Sequence, residues 1–345
     1  MIWKQFLKSK SNLKGYKENK DKDIIELDSN ILHQELANGV QIADPCMVDE
    51  MKDVFAWKRG FQNCWTGYPN DGKSQFTLYM MVVKSLLSKW KWVIWSPEMR
   101  SANFIDGKIK VHYNDLAYEI MATCSGKTPY KHIHEKYHIP LMTIEEIDEW
   151  AEFCRTYFIP IDPKEKTMES IYDGLTRIYD THGFDGIMID PYKNIDCGNI
   201  NREDKFLHKV FDQFKDLALR TNSVMNWVAH PKSGVDRIDH NGNINACNQY
   251  MLSGGAAWDN SMDGIYSVLR PNTREDPTSP DVHFYNLKQR KQELVCQRGR
   301  LDDIRFDIKT RRYIFNGNDP LGGPVSNDRI ESFPVAPSNF EHSPF

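Results

Sequence analysis

Residues 67–74 read GYPNDGKS, a glycine and four intervening residues before Gly-Lys-Ser, and this spacing suits the cradling of a nucleotide's phosphates. Consecutive backbone N–H groups of such a loop, and the positive end of the helix that follows it, point at the β- and γ-phosphates. Gly67, Tyr68, Pro69, Asn70, Asp71, Gly72, Lys73 and Ser74 would form the loop, with Lys73 adding a full charge and the Ser74 hydroxyl ligating Mg2+. Hydrolysis also needs a carboxylate to order the metal's shell, normally at the end of a buried strand. Asp190 fits that part, because it closes the apolar run GIMID just before the chain turns at Pro191. An aspartate capping a turn before proline is the plain structural alternative, and the phosphate loop weighs against it. A base must activate water as well, and Pro191, the residue after Asp190, cannot serve. Glu98, within KWVIWSPEM, follows the phosphate loop by about one helix and one strand and is the candidate, although alone it would read as a surface carboxylate capping the next segment. A second Gly-Lys-Thr at 126–128 fails the spacing test: Met121 stands where the first glycine belongs, and the preceding LAYEIMATCS reads as helix.

A phosphate loop must join a strand to a helix, and here FQNCWT precedes it while KSQFTLYMMVVKSLL follows. From about residue 56 to 316, strand-like runs alternate with helix-like ones: FQNCWT, WVIWS, TYFIPI, DGIMID, VMNWVA, GIYSVL and VHFYNLK. Helical patterns cover 73–89, 143–154 with a Thr143 to Glu146 capping box, 167–181 and 203–220. The alternation predicts an α/β fold with a mainly parallel central sheet flanked by helices. Short connections between the last three strand-like runs predict a C-terminal antiparallel extension. No internal repeat is present.

The 345 residues, 40% hydrophobic and 12% aromatic, suffice for one large core or two ordinary ones. No apolar run reaches the ~20 residues of a membrane span and no leader opens the chain, so no membrane partner is expected and the cytoplasm is the default compartment. Cys46, Cys64, Cys124, Cys154, Cys197, Cys247 and Cys296 are scattered singly, which argues for reduced, packed thiols and against a disulfide framework or zinc ribbon. A net charge of −4 excludes a global basic field, so contact with nucleic acid must be local. Residues 1–23 carry seven lysines and three acids and read as a basic solvated arm. CMVDEMKDVF then predicts a short amphipathic helix over Met47–Phe55, so that residues 1–55 form an arm and linker helix before a motor at 56–316. Residues 317–345, with five prolines, three glycines, four acids and one arginine, predict a disordered acidic tail.

The order of phosphate loop, SPEM, IDP, VAHP, SGGAAWDNSMDGIYSVLR and NLKQRKQE resembles the RecA-type motor of DnaB-family replicative helicases. It is closest in feel to the branch of phage primase-helicases and Twinkle-like proteins, and the resemblance covers about residues 56–316. DEAD-box helicases, AAA+ machines and packaging terminases usually place a glutamate directly after the metal-ordering aspartate, whereas Pro191 stands there in this chain. The resemblance implies a RecA-like P-loop NTPase that uses ATP or another NTP with Mg2+. It also implies a ring, usually of six copies, moving 5′ to 3′ on single-stranded DNA in a bacterial or phage-infected host cytoplasm. His230, ending WVAH, becomes the sensor of the γ-phosphate. Lys288 and Arg290 of LKQRK reach across a subunit interface, with Arg290 as the arginine finger on the neighbour's nucleotide.

The polar segment 232–260 is expected to be a mobile loop of the central channel. Lys232 and Arg237 would meet DNA there, helped by the amides near Gly254 and Gly255, with Lys193 a weaker candidate. Six such loops would multiply a modest local charge. The 55 residues before the motor are expected to hold no primase-like or zinc domain, and ring assembly is expected to use the Met47–Phe55 helix docked on a neighbour. His132, His134 and His138 lack a fourth-ligand pattern and read as a positively charged surface helix or loop. Phe345, ending an acidic proline-broken tail, is a docking anchor for primase, polymerase or single-strand-binding protein, or simply a floppy end. Two other readings stay open at this point: a filament-forming RecA-like recombination ATPase, and a scaffold or loader that binds ATP as a switch and unwinds nothing.

Overall fold

The computed structural model describes residues 28–105, 107–197, 203–235, 237–238, 244–273 and 275–324. The chain divides into two compact units, Met1–Gln41 and Ile42–Phe345. The described part of the first unit is helix α1 (Ser29–Asn38), capped where the Asp28 carboxylate accepts the Asn30 N–H at 2.8 Å. Nothing on this helix is buried, and Ile31, Leu32 and Leu36 are exposed. The basic arm at 1–23 lies outside the described residues.

The second unit begins earlier than the sequence implied. Strand β1 (Asp44–Pro45) pairs with β2 (Ala56–Trp57), and Cys46, Val48, Met51, Phe55 and Trp57 are buried in this unit's own core. The helix expected over Met47–Phe55 is only one 3-10 turn, Asp49–Met51. Docking on a neighbour through it is therefore corrected, because its apolar face is already covered. The Phe55 ring sits edge-on to Trp57, Trp65 and Tyr266 at centroid distances of 4.7, 5.1 and 5.0 Å.

The centre is a sheet of 11 strands. Six run parallel, in the spatial order β10 (Gly264–Leu269), β3 (Gln62–Thr66), β9 (Val224–Ala229), β8 (Gly186–Ile189), β4 (Trp92–Trp95) and β7 (Phe158–Pro160). Antiparallel strands extend it from β10 through β11 (Asp281–Gln289), β12 (Gly299–Asp307), β13 (Arg312–Phe315), β14 (Asn318–Asp319) and β15 (Gly323–Pro324). VMNWVA and GIYSVL, expected in the antiparallel extension, instead flank β3 in parallel, because helices fill the connections that lead into them. The sheet also runs through Pro324, past the boundary expected at 316, so 317–324 is sheet edge and not disordered tail. The remainder of that tail, Phe345 included, lies outside the described residues.

Strands buried on both faces carry apolar residues without a break, and their alternation assigns them to two cores. Trp92, Ile94, Met188 and Val228 face one layer with α2 (Lys73–Ser88), α3 (Asn114–Ser125) and α5 (Ile144–Tyr157). Val93, Trp95, Ile187 and Trp227 face the other, with α6 (Met168–His182), α7 (Glu203–Arg220) and α8 (Gly255–Ser261). Between α3 and α5 lies α4 (Lys131–Tyr137), which carries His132 and His134; the His134 ring bonds the Ile139 carbonyl at 2.7 Å. A two-stranded ribbon, β5 (Ser101–Ile105) with β6 (Lys108–His112), stands outside the main sheet and was not anticipated. Among the described residues no helix is long and apolar enough to cross a membrane, and no cluster of His, Cys, Asp or Glu is arranged to hold a metal. Six of the seven cysteines are buried free thiols, whereas Cys197 is exposed.

Candidate active site at the phosphate loop

Strand β3 ends at Thr66 and α2 begins at Lys73, so the loop between them occupies the C-terminal edge of the parallel sheet. Two glycines shape it. A Cβ on Gly67 would stand 2.4 Å from the Val268 carbonyl oxygen of neighbouring β10, and Gly72, at φ +80°, adopts a left-handed turn as the helix N-cap. No side chain caps this helix, which leaves first-turn N–H groups for an anion. Lys73 is only 5% exposed, and burial lowers its pKa against the opposing pull of Asp190, Asp71 and Glu98.

Neighbouring strands deliver the partners to the same edge. Asp190, one residue beyond β8, is 2% exposed, and its N–H donates to the Trp95 carbonyl at 2.9 Å. Burial pushes its carboxyl up to about 6, opposed by a Ser74 hydrogen bond and by Lys73. Asp190 Oδ1 has no partner. Glu98 lies exposed in the turn Pro97–Met99 beyond β4 and acts electrostatically on both Lys73 and Asp190. His230 follows β9; burial, then Lys73 and Lys193, hold its ring down to about 4, and its Nε2 is buried without a partner. Its imidazole is therefore neutral near pH 7.

A buried carboxylate oxygen with one lone-pair side unused, beside a hydroxyl and a lysine, is a donor set that suits a divalent cation accompanying phosphate. Ser74 and Asp190 thus fit a Mg2+ ion by chemistry, and Lys73 with the uncapped helix fits the phosphates.

Other expected site residues fall elsewhere. Lys193 is exposed in the turn Tyr192–Asn194, whose Tyr192 is buried, and its charge reaches Asp190 and His230. Lys232 is exposed, and its N–H donates to the Met251 carbonyl at 2.9 Å. Arg237 is not presented to solvent as a channel cation: its Nη2 reaches Asp71 Oδ1 at 2.8 Å and the Arg270 carbonyl at 2.6 Å. Asp71, 1% exposed, draws it inward. Gly254 and Gly255 open helix α8 under close packing. A Cβ on Gly254 would meet Leu207 Cδ1 at 2.3 Å, and one on Gly255 the Gln249 carbonyl at 2.8 Å. Trp258, buried against Phe211 at 4.6 Å, fixes the helix, so the end of the expected mobile loop is core.

Lys288 and Arg290 are not at this edge. Gln289 pairs with Gly264 at the start of β10, which runs parallel to β3, so both residues lie at the end of the sheet away from their own phosphate loop. Lys288 Nζ bonds the Asp259 carbonyl, and Arg290 bonds Asp263 Oδ1 at 3.2 Å and the Asn260 carbonyl. Sequence reasoning missed Cys247, whose thiol lies 3.3 Å from Thr66 Oγ1, and Ser96, whose buried Oγ is unpartnered. It also missed Asp263. No local pattern marked these three, but an aspartate inside an anion-binding loop was a signal that a cation must be near Asp71.

No family model matches the chain. A Twinkle homolog protein, chloroplastic/mitochondrial, from Arabidopsis thaliana is 25% identical over 239 residues, 68% of this chain and 31% of that protein. The chain therefore spans under a third of that curated relative's length. Among solved structures, the isolated ATPase domain of a DnaB-like replicative helicase superposes with a TM-score of 0.63 at 12% identity, covering 83% of this chain and 95% of that one. A second DnaB-like replicative helicase, described with its interactions with primase, gives 0.62 at 12% identity, covering 90% and 70%. The fold is the RecA-like ATPase fold of DnaB-like helicases, and these likenesses support the resemblance read from the motifs.

Proposed function

We propose that this chain is the NTP-hydrolysing motor of a DnaB-like replicative DNA helicase, working on single-stranded DNA as a ring of several copies. The observation that carries the reading is the convergence of Lys73, Asp190 and Glu98 at one sheet edge, with a buried carboxylate oxygen unspent. Lys73 and the loop amides bind and orient the phosphates of ATP or another NTP. Ser74 and Asp190 hold Mg2+, which when bound neutralises phosphate charge. Glu98, solvent-exposed and acting electrostatically on Asp190 and Lys73, accepts the proton of the attacking water. Neutral His230 offers Nε2 as a hydrogen-bond partner to the γ-phosphate or that water.

The position of Arg290, at the sheet end away from its own phosphate loop, supports a role toward the nucleotide of a second copy, with Lys288 beside it. Release of Arg290 from Asp263 is part of that role. Lys232 is the cation of the segment after β9 best exposed to DNA phosphates. Primase, polymerase and single-strand-binding protein remain the proposed partners of the tail at 325–345.

The test measures ATP hydrolysis with and without single-stranded DNA beside unwinding of a forked duplex, using the wild type, Lys73→Ala and Glu98→Gln. DNA-stimulated hydrolysis and unwinding, both lost in the variants, are expected. Hydrolysis that ignores DNA and no unwinding would reduce the chain to an ATP-operated switch, and filaments in place of closed rings would favour a recombination ATPase.

A further inference from the structure

The phosphate loop contains its own contradiction. Asp71 places a buried carboxylate among groups arranged for anions, and burial holds its carboxyl up to about 6 even with Arg237 beside it. An uncompensated charge there would repel phosphate through a poorly screening interior. Arg237 answers it from the segment after β9, 166 residues away in sequence.

Four contacts tie that segment to the loop and to the strand before it. Arg237 bonds Asp71 and lies 5.1 Å over the Tyr68 ring; the Cys247 thiol meets Thr66; and the Tyr68 hydroxyl donates to Met251 Sδ at 3.7 Å. The same segment is braced by its own backbone. The Asn245 N–H donates to the Arg237 carbonyl at 3.1 Å, Ile238 bridges Ile244, and Pro231 bridges Leu252. Arg237 Nε is buried without a partner, so the guanidinium retains a donor after satisfying Asp71 and the Arg270 carbonyl.

We propose that Asp71 and Arg237 form a latch: Arg237 cancels the carboxylate carried by the phosphate loop, making the loop fit for phosphate, and the same ion pair fixes residues 244–253 against it. Arg237 is thus a positioning residue. Its charge serves the nucleotide through Asp71, and its backbone makes the segment bearing Lys232 responsive to what the loop holds. The inference rests on the phosphate-binding reading of residues 67–74.

The test is a double-variant cycle with Arg237→Met, Asp71→Asn and the two combined. Binding of a fluorescent ATP analogue is measured beside hydrogen exchange of residues 244–253 in nucleotide-free protein. Arg237→Met is expected to weaken the analogue at least about tenfold by leaving a buried charge unpaired. Asp71→Asn supplies the background in which Arg237 has no carboxylate to cancel, and adding Arg237→Met to it should cost at most about threefold beyond the single variant. Exchange at 244–253 should rise in both variants lacking Arg237. Equal affinity loss from Arg237→Met in the two backgrounds, or unchanged exchange at 244–253, would overturn the latch. If Arg237→Met does not fold, the double variant, which has no unpaired buried charge, carries the exchange measurement and decides in the same way. A wild type that binds no analogue would sink the phosphate-site reading, while exchange still judges the latch.

Discussion

Two buried aspartates, Asp190 and Asp263, sit at opposite ends of the same parallel sheet with 2% and 3% exposure, and they do opposite things. Asp263 is saturated: it accepts the Gln62 N–H at 2.8 Å, Lys215 Nζ at 2.6 Å and Arg290 Nη1 at 3.2 Å. Asp190 faces Lys73 and Ser74 yet leaves Oδ1 without a partner. Burial without saturation is costly, and a fold tolerates it where something else completes the set. Saturation at Asp263 fastens the starts of β3 and β10 to α7 and β11, whereas Asp190 leaves an oxygen unspent at the edge proposed to work on nucleotide.

The comparison breaks most sharply at Lys73. Lys73→Ala is expected to lower turnover by at least about a hundredfold, because no other lysine is buried against the loop among the described residues. Steady-state hydrolysis with magnesium present measures it, and a loss under about fivefold would mean that the working edge lies elsewhere.

Asp263→Ala should act on folding instead. It strands the Gln62 N–H and two cations that are partly exposed, and a cost of about 2–3 kcal/mol is expected in urea denaturation. Analogue binding by the folded fraction should stay near wild type.

Asp190→Asn should have the reverse sign in chelator-treated, nucleotide-free protein. The folded carboxyl is raised to about 6 above its ordinary 3.8, so its protonated form contributes stability that is present below pH 4 and lost as pH rises through about 6. Ionised Asp190 is therefore a burden at pH 7.5, and the asparagine variant should be about 1–2 kcal/mol more stable there, reduced by the partner Lys73 loses. Thermal melts should show that gain shrinking at pH 5. A variant less stable at pH 7.5 would show that Asp190 is as structural as Asp263.

The smallest stability effect belongs to Arg290→Ala, about 0.5–1 kcal/mol, because its side chain is 45% exposed and Lys215 still holds Asp263. Its kinetic effect separates the readings: nucleotide affinity retained with turnover lost supports action on a second copy, while a parallel loss of both argues against it.

Much of the fold was legible because its signals are local. GYPNDGKS needs only spacing, WVIW and GIMI announce doubly buried strands by unbroken apolar character, and Thr143 with Glu146 forms the capping box that their separation implies. Other parts were hidden for equally physical reasons. RLDDIRFD disguises β12 because an antiparallel strand near a sheet edge carries charge on its solvent side. The ribbon of β5 and β6 exposes Phe104, Ile109 and Val111, so its apolar residues follow no core pattern, although the Asp-Gly pair at 106–107 was a usable turn signal. Met47–Phe55 showed helical spacing, yet only Asp49–Met51 is helical, one 3-10 turn in the connection between β1 and β2 that carries its apolar residues into the core.

The sequence by itself determined the glycine-framed loop at 67–74 between a strand and a helix, the strand that stops just before Asp190 and the alternation that makes a parallel sheet, since each depends on residues within one element and its neighbours. Tertiary structure alone decided that Arg237 belongs to Asp71 rather than to an open channel, that Gly254 and Gly255 serve packing, and that Arg290 is anchored on Asp263. Arg237 and Asp71 stand 166 residues apart and Arg290 and Asp263 stand 27 apart, and a buried charge finds its partner through the fold's geometry.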